Sequence, residues 1–294
     1  LKFILKAWLA VLISDSLGDM ENAIFALAKD PVAGLKILNQ EWEKLLPVVS
    51  GGGLSQIFSQ LNLLGEQLAN IKLKQPLEKA KIISLIGEVY VRREEFSRLD
   101  LIKALAEKGF VVKVAPVAEY LYYCNYLTKK GMRGDKAGLR EKIKITLQDL
   151  LQKYFEQKVK RILSRSGLIH FDYVDVEKTL TYAKNFISEK LLGEGVLTTG
   201  LALREIINES CGVISIGPFA CMPSRLAESI LSKEMTLAGK IKSGGGKHGH
   251  LSGKVSSLPY LHIETDGNLY PPITQSKIEI FMLQAEKLYE MINK

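Results

Sequence analysis

The loop Gly217-Pro218-Phe219-Ala220-Cys221-Met222-Pro223 contains the residue in this chain that is best suited to chemistry. Cys221 stands just ahead of a predicted helix, whose first turn holds Pro223. A helix N-terminus carries partial positive charge and spare N–H donors, so it favours a thiolate, the form that binds iron or attacks an electrophile. The alternative is a structural role, because a lone cysteine often packs as a small apolar residue.

Two more polar loops follow predicted strands. Gly87-Glu88-Val89-Tyr90-Val91-Arg92 comes after Ile86 of one apolar run, and Glu264-Thr265-Asp266-Gly267-Asn268 comes after Ile263 of another. Ligands of open parallel sheets bind where strands end and helices begin. We therefore expect one crevice lined by Glu88, Arg92, Gly217, Pro218, Phe219, Glu264 and Asp266.

The other cysteines are weaker candidates. Cys124 lies in the aromatic stretch 120–126, where both core packing and a ligand role are open, and Cys211 opens a predicted buried strand. Three cysteines without a short paired spacing suit a reducing, cytoplasmic compartment better than a disulfide scaffold. His248 and His250 have a spacing that suggests metal binding, but no carboxylate or thiol is near them in sequence, so we predict no metal site there.

Strand and helix patterns alternate twice along the chain. The stretch 80–116 has the strand–helix–strand pattern of a βαβ unit, and strand and helix patterns alternate again over 212–292. The sequence predicts an α/β protein with a doubly wound parallel sheet and helices on both faces. We assign a helical segment to 1–79, and the α/β domain to 80–294 with a helical insertion at about 129–192.

Positive charge is concentrated in one predicted helical region. The stretch 129–165 holds twelve Lys/Arg against four Asp/Glu, and this balance of +8 equals the net charge of the whole chain. Ten apolar residues of this region recur at steps of three and four, which predicts one apolar stripe with the cations mostly off it. Two interpretations of the basic residues remain: a face exposed to solvent, or a face that docks an acidic partner protein. Nucleic-acid binding is disfavoured, because aromatic and basic residues do not interleave.

Composition and the opening residues exclude other classes. With 47% hydrophobic and 24% charged residues, the chain has globular rather than disordered composition. The apolar run 3–13 is interrupted by Lys6 and is far shorter than the roughly 20 residues that span a bilayer, so no membrane segment is predicted. Because the chain begins at Leu1, we expect it to be a fragment of a longer protein.

Together, three stretches resemble the 2-hydroxyacyl-CoA dehydratase and benzoyl-CoA reductase superfamily, in particular its uncharacterised activase-associated branch. They are Gly87-Glu88-Val89-Tyr90-Val91-Arg92, Gly193-Glu194-Gly195 with the helix after it, and the Cys221 loop. The resemblance runs from about Lys81 to the end of the chain, and the Cys221 loop is its most specific part.

The resemblance implies doubly wound domains and a low-potential iron–sulfur cluster held by cysteine thiolates. It also implies an ATP-dependent activase that supplies electrons, and an acyl-CoA substrate. Cys221 matches the family's late cysteine; Cys124 is the second candidate ligand without a clear match, and the family's earliest cysteine has no counterpart here. Two other functions stay open, namely a non-catalytic interaction module and a metal-free site for an anion or small molecule, and a dimer is compatible with each.

Overall fold

The structure is a computed structural model that describes residues 2–98, 100–132, 138–246, 251 and 253–293. Its helices and strands follow one another as α1 (Lys2–Leu27), α2 (Pro31–Gly51), α3 (Leu54–Ala69), β1 (Lys81–Gly87), α4 (Glu95–Arg98), α5 (Leu101–Glu107), β2 (Phe110–Val114), α6 (Val117–Lys129), α7 (Leu139–Leu163), α8 (Val176–Ala183), α9 (Glu194–Glu205), β3 (Gly212–Pro218), α10 (Met222–Glu234), α11 (Leu237–Lys242), β4 (Tyr260–Thr265) and α12 (Pro272–Ile292).

The chain divides into two compact units. The helical unit comprises Leu1–Ala80, Ala106–Val111 and Pro116–Val174, and the sheet unit comprises Lys81–Leu105, Val112–Ala115 and Asp175–Lys294. The boundary after Val174 falls inside the stretch 129–192, which the sequence assigns to an insertion. The proposed division into domains 1–79 and 80–294 stays a prediction.

The sheet has four strands in the order β2-β1-β3-β4. The strands β1, β3 and β4 pair in parallel, with Gly87 opposite Ile216 and Gly217 opposite Glu264. Buried apolar residues fill β1 and β3, as expected for strands covered on both faces. The predicted α/β class with a parallel sheet flanked by helices is confirmed.

Helices cover both faces of β3. Gly217 lies against Ser224 of α10, while Gly212 lies against Phe281 and Ala285 of α12. Successive strand residues point to opposite faces, so odd-numbered positions of β3 face α10 and even-numbered positions face α12. This alternation decides which side chains of β3 and β4 can meet.

Buried carboxylates order the helical unit. Asp15 of α1 is buried and accepts hydrogen bonds from Val117 N and Ala118 N, each at 3.1 Å, so it caps the start of α6. Glu156 of α7 accepts from the Tyr122 hydroxyl and from Val174 N, each at 2.8 Å, and burial raises its pKa. These bonds tie α1, α6, α7 and the segment after α7 together.

The apolar stripe predicted along 139–163 is not a single buried stripe. Phe155, Val159 and Leu163 of its second half are buried, whereas Leu147 and Leu150 of the first half are 63% and 62% exposed. The apolar residues of the two halves lie on different faces of α7. A helix has 3.6 residues per turn, so a row of residues spaced four apart gradually winds around the helix axis. Among the described residues, no helix is both long and apolar enough to cross a membrane.

Gly87 ends β1 in a conformation that few other residues adopt. Its φ is +116°, and a Cβ at this position would collide with the carbonyl oxygen of Ile216 on β3. The close approach lets Glu88 N donate to that carbonyl at 3.0 Å, so the chain can leave the sheet in a tight turn. This glycine therefore positions the loop after β1.

We predict that Gly87→Ala lowers the free energy of unfolding by roughly 2–4 kcal/mol, from backbone strain and the clash with β3. Urea-induced unfolding followed by circular dichroism measures the loss. Gly51→Ala is the control, because a Cβ there meets nothing within 4 Å. Equal stability of the Gly87→Ala variant and the parent protein would contradict the strained geometry.

Candidate functional site at the carboxyl edge of the sheet

The loops that follow β1, β3 and β4 lie side by side at one edge of the sheet. Glu88 N donates to Ile216 O and Phe219 N donates to Thr265 O, each at 3.0 Å. The strand order reverses between β1 and β3, and such a switch point is where doubly wound sheets bind their ligands. This edge is therefore the candidate site.

Glu88 and Arg92 shape the loop after β1. The two carboxylate oxygens of Glu88 accept from Tyr90 N at 3.2 Å and from Val91 N at 2.8 Å. The buried Arg92 donates from Nη1 to Gly87 O at 2.9 Å. Both predicted binding residues thus hold the turn in place. A ligand that bound to Glu88 or Arg92 would have to use hydrogen-bonding positions that the turn leaves free.

Glu194, the first residue of α9, joins this loop. Its Oε1 accepts from Val89 N at 3.1 Å. Burial and the nearby carboxylate of Glu88 raise the pKa of Glu194, while the Val89 N–H and the Arg92 charge oppose the rise. The loop after β1 therefore holds a carboxyl group that binds a proton more readily than an exposed glutamate.

Cys221 directly precedes α10 in a bent loop. Its N–H donates to Pro218 O at 3.1 Å, and Ala220 before it has a left-handed φ of +57°. The cysteine is partly buried, whereas Phe219 is 72% exposed and Met222 is 79% exposed. The loop thus presents apolar side chains on both sides of a thiol at a helix N-terminus.

The end of β4 contributes Glu264 to this arrangement, and the turn after it contains Asp266. Its Oε1 accepts from Ala220 N at 3.2 Å and lies 3.3 Å from Nε of Arg225 on α10. Asp266 is exposed and accepts from the backbone and side-chain nitrogens of Asn268, each at 3.0 Å, which lowers its pKa. Glu264 therefore belongs to the Cys221 loop, and Asp266 stabilises its own turn.

A polar network beneath the loops was not predicted from the sequence. Ser215 Oγ lies 2.8 Å from both the Tyr260 hydroxyl and Nδ1 of His262. Nε2 of His262 lies 3.9 Å from Oε2 of Glu228, to which Arg225 donates at 2.7 Å. Ser215 is only 2% exposed, so it orients the imidazole and is not an accessible nucleophile.

Burial lowers the pKa of His262, and its side chain is only 5% exposed. The sequence did hold a signal for this network. Tyr260, His262 and Glu264 alternate along β4 and so share one face, which the register places beside Ser215 and Gly217. Without knowing that β3 and β4 are neighbours, the alternation could not be matched to a partner strand.

The described residues bring one thiol to this edge. Cys211 lies at the opposite end of β3, roughly 20 Å away along a strand that rises about 3.3 Å per residue. Its Sγ lies 3.2 Å from Ile82 O, and burial raises its pKa to about 12. Cys124 lies on α6 in the helical unit, whereas Cys221 belongs to the sheet unit.

In the part of the chain that the structure describes, no group of three or more His, Cys, Asp and Glu residues is arranged to hold a metal ion. These residues do not by themselves fit a complete iron–sulfur cluster. His248 and His250 lie outside the described residues. Comparisons with protein-family models, curated proteins and solved structures found no match.

The arrangement defines an α/β protein with a thiol, a proton-binding carboxyl group and a buried imidazole at the carboxyl edge of a parallel sheet. Three arginines of this edge are engaged by the protein: Arg92 donates to Gly87 O, Arg93 to Val114 O and Ala115 O, and Arg225 pairs with Glu228 and Glu264. These guanidinium groups hold the loops in place, and ligand binding through them would use their remaining N–H donors.

We predict that iodoacetamide modifies Cys221 faster than Cys211 in the folded protein at mildly alkaline pH. Cys211 is buried and its pKa of about 12 keeps the thiol protonated, whereas Cys221 is partly exposed. Mass spectrometry of tryptic peptides gives the two rates, with unfolded protein as the control in which they converge. Faster labelling of Cys211 would contradict the placement of both cysteines.

We predict that Glu194→Gln stabilises the sheet unit at neutral pH. A glutamate with a raised folded-state pKa loses stability as pH rises from its ordinary value through the raised value, because the unfolded chain releases the proton first. Glutamine keeps an oxygen for Val89 N and has no proton to lose. The stability difference between variant and parent should therefore grow with pH across this window and then level off.

Urea unfolding at a series of pH values measures this difference. Glu279→Gln is the matched control, because Glu279 is an exposed glutamate of α12 in the same unit. The same pH profile for both variants would refute a special environment at Glu194.

Proposed function

We propose that this chain is a redox component related to the 2-hydroxyacyl-CoA dehydratases, with Cys221 as one thiolate ligand of an iron–sulfur cluster. The observation that carries the proposal is the position of Cys221, directly before α10 at the carboxyl edge of the sheet and beside the switch point between β1 and β3. Cys221 is partly exposed, and a thiol that is not fully buried can be reached by an incoming metal ion.

The proposal requires further ligands beyond the described part of this edge. The sequence-based assignment of Cys124 as a second ligand stays a prediction, and further ligands would come from additional sequence or from a partner. An ATP-dependent activase is the proposed electron donor, and the compartment is proposed to be the cytoplasm, where three free cysteines persist.

Exposed apolar side chains at the same edge support an acyl-CoA as the substrate. Tyr90 in the loop after β1, Phe219 and Met222 around Cys221, and Leu269 after β4 are 68%, 72%, 79% and 82% exposed. Large apolar side chains exposed at a binding edge are candidates for contact with apolar ligands or partners. They offer contacts to an acyl chain, whose thioester would then lie near the thiol.

A metal-free small-molecule site is the second candidate. It is favoured by the single thiol that the described residues bring to the edge. In this version Cys221 and the carboxyl group of Glu194 contact the ligand directly, and no cluster forms.

Anaerobic reconstitution with iron and sulfide separates the two candidates. The experiment uses the longest form of the protein that can be produced. We predict that this parent protein binds iron and sulfide in a fixed ratio, and that its Cys221→Ser variant loses most of both. Colorimetric analysis and the visible absorption of the cluster provide the measurement.

Cys211→Ala is the control, because this thiol lies at the far end of β3 and should not affect iron content. If neither the parent nor the variants bind iron, the redox proposal fails and the metal-free site remains. If Cys221→Ser retains the full cluster, Cys221 is not a ligand.

A further inference from the structure

The N-terminal half of α7 leaves a row of large apolar side chains uncovered. Together they form what we call the α7 stripe, with exposed fractions between 44% and 63%: Ile143, Leu147, Leu150, Leu151 and Tyr154. Successive residues of a helix are rotated by about 100°, so these five side chains fall within an arc of about 100°. A contiguous apolar row of this kind is typical of a protein interaction surface.

The opposite face of α7 is anchored in the helical unit. Asn125 of α6 donates to Asp149 at 3.1 Å and to Gln152 at 2.8 Å, and the Tyr122 hydroxyl donates to Glu156. Phe155 is buried on the same side. These contacts fix the rotation of α7, so the helix cannot turn to bury the α7 stripe without breaking them.

Cations surround the α7 stripe. By the rotation of about 100° per residue, Lys144 lies beside one edge of the row, and Arg140 and Lys158 lie in line with it at its two ends. Lys153 and Lys142 lie about 60° and about 80° beyond the other edge. Within the described part of the chain, Arg140, Lys142 and Lys144 form no ion pair, whereas Lys153 lies 3.6 Å from Asp149 and Lys158 lies over the Phe58 ring.

The carboxylates of α7 lie on its other half. Asp149 is buried and pairs with Lys129 at 2.7 Å, Glu156 is buried against Tyr122, and Glu141 lies about 130° from the centre of the row. The α7 stripe therefore presents apolar groups within a field of positive charge, and acidic groups flanking an apolar row would be its complement.

We propose that the α7 stripe docks an acidic amphipathic helix of a partner protein. The spacing i, i+4, i+7, i+8 and i+11 is the one through which helices bury an apolar face against each other. A second copy of this chain would place like charges together. The described α7 stripe covers only about three helical turns, and this apolar area is small for anchoring a protein to a membrane surface. A partner protein is therefore the better match. This proposal is independent of the site at Cys221.

The probe is a synthetic helical peptide of about 18 residues with leucines on one face and glutamates flanking them. Its companion carries the same leucines with lysines in place of the glutamates. Fluorescence anisotropy measures binding of each to the parent protein at low and high salt. We expect the acidic peptide to bind at least about tenfold more tightly than the basic peptide, and to weaken as salt increases.

The double variant Leu147→Gln/Leu150→Gln should weaken binding of the acidic peptide by about tenfold or more, since both side chains lie in the middle of the row. Both are exposed, so the urea unfolding transition should be unchanged. Ile280→Gln/Leu283→Gln is the matched control, because these residues of α12 are 55% and 68% exposed. This control should bind as the parent does.

Four results would overturn the proposal. Equal binding of the two peptides, or equal loss in the control variant, would show that the α7 stripe does not discriminate. A doubled mass in sedimentation equilibrium that Leu147→Gln/Leu150→Gln abolishes would assign the surface to a second copy. Binding to phosphatidylserine-containing vesicles through the same leucines, with no peptide binding, would assign it to a membrane surface.

Discussion

The sheet unit depends on backbones approaching too closely to admit a side chain. Gly87 meets Ile216 between β1 and β3, Gly217 meets Ser224 between β3 and α10, and a Cβ on Gly195 would lie 2.9 Å from Pro223 O. These contacts bring the starts of α9 and α10 to the ends of β1 and β3. Without them, the loops that carry Glu88, Glu194 and Cys221 would not share one edge.

Most polar groups at that edge hold the loops together. Glu88 caps its own turn, Glu194 reaches the same loop, and Glu264 links Ala220 to Arg225. Hydrogen bonds at such an edge preorganise a site, because each loop is held by its neighbours before any ligand arrives. The backbone around Cys221 is thus held by its neighbours, so the thiol has a defined position before a ligand binds.

In the helical unit, one face of α7 is held by hydrogen bonds and another face is left exposed. The face that carries Asp149 and Glu156 is anchored by hydrogen bonds from Asn125 and Tyr122, while the apolar α7 stripe is exposed. Exposing several large apolar side chains forgoes roughly 25 cal/mol for each Å² that burial would remove from water. A binding partner that covers this surface would recover that free energy, and the surrounding lysines would select for acidic partners.

The sequence alone indicated the α/β class and the four strands, because short apolar runs that alternate with helical patterns are a local signal. It also placed Cys221 before a helix, since Pro223 marks a first turn. Only the tertiary structure decided the strand order, which joins Ser215 to His262 and Glu264 to the Cys221 loop, because register between distant strands leaves no local pattern. It likewise decided which half of the α7 apolar row is covered, since helical periodicity shows that a face is apolar but not whether another element packs on it.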